Sequence, residues 1–233
     1  MRLVGNHLHR LRELSRVVGP ARALWIAPAW SVSRRYLVIA RDLREAIDLP
    51  GPGPELRCTE ANRDEAKKLT QLDPRLTRME LDRRFTEGQI CHIWWVDERI
   101  VHLRWFTDRR AFLPFLGLTF RPQDGDYLLY EVFTRADRRV RGIHSLVAGA
   151  SLRRARDLGY RRMVALCAWW NTPALKVGWK TGFRSVGTIT AWQLGPNRLF
   201  TNSGEVSVRG TEMSVKGAVK GARHISSVER ICP

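Results

Sequence analysis

Lysine is scarce in this chain. Only six of its 40 basic residues are Lys (67, 68, 176, 180, 216 and 220), so 34 are Arg. Acidic residues are also few, and 23 Asp and Glu leave a formal net charge of +17 over 233 residues. Cysteine occurs at 58, 91, 167 and 232, with no C-x-x-C pair. That scatter excludes a disulfide scaffold and a zinc ribbon and suits a reducing compartment, so a cytoplasmic location is expected. No apolar run reaches ~18 residues, which excludes a membrane-spanning helix. The N-terminal stretch lacks an apolar core followed by small residues, so a secretory signal is not expected. A hydrophobic content of 44% with nine Trp excludes a disordered or collagen-like chain.

The charge is unevenly placed. Residues 1–50 carry nine Arg against Glu13, Asp42, Glu45 and Asp48, a balance of +5. Residues 135–162 carry nine Arg against Asp137 and Asp157, a balance of +7. Clustered cations attract phosphates. No nucleic-acid motif accompanies either cluster, so the second reads as a site for one phosphorylated ligand rather than for a polynucleotide.

Three regions emerge. Residues 1–54 form a basic extension, with apolar residues near helical spacing over 3–26. Such a segment can lie on a membrane surface, or dock on the domain or on a second copy. Pro50-Gly51-Pro52-Gly53-Pro54 breaks the chain, and the main domain is expected over 55–200. Residues 201–233 lose aromatics and periodicity and read as a mobile tail. Within the domain, 55–59 reads as a strand and 62–72 as a helix capped by Asn62. Asp73-Pro74 opens a second helix that ends at Gly88. Gln89–Val96 and Arg99–Thr107 flank Asp97-Glu98 as a hairpin. A long connection over 108–125 precedes a strand at Asp126–Thr134. A helix begins near Ile143, an apolar strand spans Met163–Trp170, a short helix follows over Pro173–Thr181, and Ser185–Leu194 closes the series. The fold class is α/β, mixed, with one central sheet flanked by helices.

Arg139-Val140-Arg141-Gly142-Ile143-His144-Ser145 joins a strand to a helix. The first turn of a helix presents unpaired N–H groups at the positive end of its dipole. That is an anion site, to which Gly142 gives close backbone approach and Arg139 and Arg141 add charge.

With this loop the segment 126–183 resembles the cofactor-binding half of the GNAT superfamily of acyl-CoA N-acyltransferases. The family's loop is Arg/Gln-x-x-Gly-x-Gly/Ala, and Arg139 and Gly142 match it, with His144 in place of the last small residue. The family's second signature is an Asn after a strand, then a short helix ending in Gly-Phe. It reads here from Asn171 to Gly182-Phe183. The resemblance covers about residues 55–200 and implies acetyl-CoA, or another acyl-CoA, as co-substrate, with no metal. It places the pyrophosphate at Arg139, Val140, Arg141, Gly142, Ile143, His144 and Ser145. It places the pantetheine arm along Val132, Phe133 and Thr134, with Asn171 touching the arm or capping its helix. His144 either narrows the loop or points outward as an imidazolium.

Acyl transfer to an amine needs a neutral amine, a polarised carbonyl and a proton for the departing thiolate. Glu131, a carboxylate within the strand Leu129-Tyr130-Glu131-Val132, is the first candidate base; a salt bridge to one of the many Arg is its structural alternative. His102 is the second. Many family members carry a proton-donating Tyr where this chain has Gly178, which leaves Tyr127, Tyr130 or water as donor. Cys167 lies in an apolar run and reads as a core thiol. The implied partner is a small-molecule amine. Arg75, Arg78, Arg83, Arg84, Arg109, Arg110 and Arg121 suggest an acidic or phosphorylated one. A coenzyme A-binding sensor, and a basic nucleic-acid or membrane-surface protein, are the competing readings. A homodimer through residues 3–18 or the final strand stays open.

Overall fold

The computed structural model describes residues 15, 19–23, 26, 33–138, 143–194 and 197–216. Most of the amphipathic stretch 3–26 falls outside them, as do Arg139, Val140, Arg141 and Gly142 and residues 217–233. The strands are β1 (Ser33–Asp42), β2 (Arg57–Glu60), β3 (Ile90–Val96), β4 (Arg99–Thr107), β5 (Ala111–Leu113), β6 (Leu118–Phe120), β7 (Asp126–Thr134), β8 (Arg162–Ala168), β9 (Arg184–Leu194), β10 (Asn197–Gly204), β11 (Val206–Arg209) and β12 (Glu212–Val215). The helices are α1 (Ala66–Leu72), α2 (Arg78–Thr86), α3 (Ile143–Asp157) and α4 (Thr172–Lys180). This is the mixed α/β fold with a central sheet flanked by helices that the residue pattern implies.

An eight-stranded sheet runs in the order β10-β9-β1-β8-β7-β4-β3-β2. Its neighbours are antiparallel except β7 and β8, which are parallel. On one face, α1, α2 and the small sheet β11-β12-β6-β5 bury Leu69, Leu81, Leu113, Phe120 and Met213 against Val38, Leu103, Trp105 and Leu128. The opposite face carries α3 over Ile39, Phe106, Tyr127 and Met163, with Trp94 and Val101 under its first turns.

The domain limits expected at 54 and 200 do not follow this sheet. β1 lies inside it, between β8 and β9, and alternates Tyr36, Val38 and Ala40 toward one core with Leu37 and Ile39 toward the other. Residues 201–216, expected as mobile, complete β10 and build β11 and β12. The long connection over 108–125 supplies β5 and β6 to the same small sheet. The pairings of β1 with β8 and β9, and of β12 with β6, leave no local signature, because the partners are far apart in sequence.

Local signals do set the element ends. Asn62 accepts from Asp64 N at 2.8 Å while Glu65 accepts from Asn62 N at 2.8 Å, a reciprocal cap. The second helix starts later than Asp73-Pro74 implies. The buried Asp73 carboxylate is occupied by Arg75, through its backbone N–H and a two-pronged guanidinium contact, so Thr77 caps α2 instead. Asp97 turns the hairpin between β3 and β4 with φ of 52°.

Candidate functional site

The parallel ladder between β7 and β8 stops early. Its register runs from Asp126↔Arg162 to Leu129↔Ala165 and no further. Beyond that point β7 continues through Thr134 paired only with β4, and β8 continues through Ala168 paired with β1. The two central strands therefore part, with Val132, Phe133 and Thr134 in the stretch of β7 beyond the shared ladder. Asn171 sits just past the end of β8 and accepts from Ala174 N at a long 3.4 Å, a weak cap. Helix α3 begins at Ile143, nine positions after Thr134.

A bulge aims the side chains at the opening. Leu129 pairs with Phe106 and Glu131 with Trp105, so Tyr130 is an extra residue on β7. Tyr130 follows Leu128 on the α1–α2 face, and the insertion turns the Glu131 side chain to that same face. Glu131 Oε2 accepts from Arg84 Nη1, and Arg84 Nε donates to Glu80 at 2.9 Å. Arg84 is buried, and its guanidinium lies 4.9 Å from the Trp105 ring centre and 5.2 Å from that of Tyr130. Burial opposes the Arg84 charge, but Glu131, Tyr130 and Glu80 outweigh it and hold its pKa above the ordinary range. Glu131 keeps a side-chain exposure of 21%, so it borders the opening while being ion-paired.

His102 is on the other face and does not meet Glu131. It is fully buried beneath α3 and next to His144, with ring centres 5.7 Å apart. Burial first, then Arg104 and His144, lower its pKa well below the usual imidazole value. Both ring nitrogens are used: Nδ1 lies 2.8 Å from Thr134 Oγ1, and Nε2 accepts from Arg104 Nε at 3.0 Å. A guanidinium only donates, so Nε2 carries no proton and Nδ1–H donates to Thr134. The structure thus removes His102 from the list of candidate bases. His144 does not point outward as an imidazolium either; its ring turns toward His102, and burial together with Arg104 lowers its pKa to about 3.

Gly178 is closely packed: a Cβ there would stand 3.1 Å from Ile39 Cδ1, so the tip of that side chain would have to shift by a few tenths of an ångström. Tyr130 OH donates to Gln89 Oε1, and burial raises its pKa. Tyr127 stacks between Phe106 and Tyr160 on the α3 face. Cys167 is buried, with its pKa pushed up by burial to about 12, which is a core thiol as its apolar run suggests.

The basic rim expected for the acceptor is largely neutralised. Arg75 pairs with Asp73, Arg83 with Glu80 and Glu87, Arg84 with Glu80 and Glu131, and Arg110 and Arg121 with Glu212. Five of those seven arginines hold carboxylates, so the rim gives no reason to require an anionic acceptor. Sequence reasoning also missed Arg84 and Arg104 as buried groups. The one available signal was alternation in β4, which puts His102 and Arg104 on a common face.

The buried imidazoles make stability pH-dependent. His92 is buried, and burial first, then Arg154 and Arg104, lower its pKa to about 4. His92 and His102 stay neutral in the folded chain but protonate near ~6.5 once unfolded. The unfolded state then binds more protons, so stability is full above ~6.5 and falls as pH drops toward about 4. Each ring contributes up to ~1.4 kcal/mol per pH unit in that window. Denaturant unfolding at pH 7 and pH 5 is expected to show this loss; equal stabilities would contradict the burial of neutral rings.

No protein-family model matches the sequence, and no curated protein matches it. Solved structures do match in shape. A GCN5-related N-acetyltransferase from Sphaerobacter thermophilus superposes with a TM-score of 0.52 at 13% identity, over 74% of this chain and 52% of that one. A Drosophila protein matches with a TM-score of 0.47 at 13% identity, over 71% of this chain and 53% of that one. An aminoglycoside N-acetyltransferase in complex with CoA matches with a TM-score of 0.44 at 18% identity, over 59% of this chain and 93% of that one. The chain thus spans about half the length of the first two, and the first likeness shows that it has the GNAT fold.

Proposed function

We propose that the protein is an acyl-CoA-dependent N-acyltransferase that moves an acyl group, most simply acetyl, to the primary amine of a small molecule by direct attack. The observation that carries this reading is the parting of β7 and β8 after Leu129 and Ala165, with the start of α3 following the end of β7. The residues present suit an acyl-CoA. Val132, Phe133 and Thr134, in the stretch of β7 beyond its ladder with β8, would run beside a pantetheine arm. Ile143, His144 and Ser145, with Arg139, Val140, Arg141 and Gly142 before them, would hold a diphosphate. The 15-residue α3 behind them gives its dipole full length. The Asn171 amide is free to meet the arm as well as to cap α4. The thioester supplies an activated carbonyl.

Glu131 is the residue we assign as general base. Arg84 holds Oε2, leaving Oε1 to take the proton of the attacking amine directly or through water. Holding amine and thioester together in the gap supplies much of the acceleration. Thiol release from acetyl-CoA with a mixed panel of amines tests the reading, together with calorimetry of acetyl-CoA binding. Binding with amine-dependent thiol release is expected. Absence of binding defeats the proposal. Binding without release favours a coenzyme A sensor, a reading supported by Ile39 filling the space beside Gly178 and by Gln89 occupying the Tyr130 hydroxyl.

A further inference from the structure

Arg104 is 98% buried, the complement of its 2% exposure, and among the described residues it has no carboxylate at ion-pair distance. A buried cation without a counter-ion is costly, and burial lowers its pKa to about 9. Its contacts are specific. Nη2 donates to the His144 carbonyl at 3.0 Å, in the first turn of α3. Nε donates to His102 Nε2 at 3.0 Å, and His102 Nδ1 lies 2.8 Å from Thr134 Oγ1. Thr134 ends β7 and His144 stands at the start of α3. The line Thr134–His102–Arg104–His144 thus ties the strand end to the helix start from beneath, using two alternate residues of the neighbouring strand β4.

We propose that His102 and Arg104 form a buried brace that fixes the β7 end against the α3 start and places an unneutralised positive charge behind the α3 N-terminus, so that a diphosphate bound there is the missing counter-ion. The inference deepens the acyl-CoA reading and rests on it for the identity of the ligand. Its separate content is that a strand residue on the far side of the first helical turn selects a diphosphate. His102 and Arg104 are positioning residues, since neither touches the reacting atoms.

The test is calorimetry of wild type and Arg104→Met with acetyl-CoA and with inorganic pyrophosphate, and turnover with S-acetyl-N-acetylcysteamine, a thioester that lacks the diphosphate. Arg104→Met is expected to weaken acetyl-CoA and pyrophosphate about tenfold or more and to flatten the salt dependence of binding. Turnover of the truncated thioester is expected to fall several-fold less than acetyl-CoA affinity does, a split that a general loss of structure would not produce. Arg104→Lys, which keeps the charge, is expected to recover part of the affinity. If Arg104→Met does not fold, the double variant His102→Leu, Arg104→Met leaves no ring nitrogen unpaired and carries the same measurement. Wild-type affinity in the charge-free variant overturns the brace, as does equal loss on both thioesters. If wild type binds pyrophosphate in an Arg104-dependent way but not acetyl-CoA, the brace stands and the acyl-CoA reading falls. If wild type binds neither, both fall.

Discussion

Glu131→Gln is expected to lower turnover ~100-fold or more at neutral pH while leaving acetyl-CoA affinity within about twofold. The amide keeps the shape of the side chain and its contact with Arg84, but it cannot accept a proton from an attacking amine. An alkyl amine with a pKa near ~10 is almost wholly protonated at pH 7, so loss of the base exposes the chemistry to the amine's own ionisation. The variant should therefore regain activity as pH rises toward 9–10, by about tenfold per unit below the amine pKa. That recovery separates a lost base from a disturbed fold. Turnover equal to wild type at every pH would remove Glu131 from the mechanism and leave it as the partner of Arg84.

Arg84→Met is expected to cost ~3 kcal/mol of stability. The guanidinium is 3% exposed at its side chain and answers two carboxylates, Glu80 and Glu131, which are 26% and 21% exposed. Removing it leaves both charges at the edge of an apolar core beside Trp105 and Tyr130, and it forfeits the contacts with those rings. Partial exposure of the carboxylates keeps the loss at the lower end for broken buried pairs. Urea unfolding measures it. Adding Glu131→Gln to Arg84→Met should restore more than half of the loss, because the two groups act as a unit. A loss below ~1 kcal/mol would mean that the pair is screened as an exposed one is. Arg84→Met should also reduce turnover, since Glu131 would lose the group that directs Oε1 into the gap.

The outcomes at the site follow from how far each signal reaches along the chain. Asn62 reads as a cap because its partners are two and three residues away. The hairpin at Asp97 and the start of α3 at Ile143 read correctly for the same reason. The apolar run around Val164 indicates a central strand, and β8 is one, with β1 on one side and β7 on the other. Asp73 misleads as a cap because Arg75 competes for its carboxylate, and burial decides between the two uses. Glu131 draws attention as a carboxylate inside a strand, and both of its readings persist: it borders the gap, and it is ion-paired to Arg84. His102 is the second candidate in sequence, yet two buried partners consume its ring.

Residue order alone was enough for the mixed α/β class, the order of its elements from Arg57 to Leu194 apart from β5 and β6, and a basic segment between a strand and a helix followed by Asn171 and Gly182-Phe183. These rest on caps, alternation and spacing, which act within a turn or a strand. The tertiary structure decided that β1 enters the middle of the sheet, that β7 and β8 part after Leu129, and that Gly178 faces Ile39 rather than open space. It also decided where the charge goes. Arg84 finds Glu131 47 positions away, and Arg104 finds His144 40 positions away. Closing loops of that length is paid for by the whole core, so no local pattern announces which arginine of 34 is buried and which is solvated. The surplus of +17 is thereby divided: five of the seven arginines between Arg75 and Arg121 named above hold carboxylates, and Arg104 is buried with no counter-ion among the described residues.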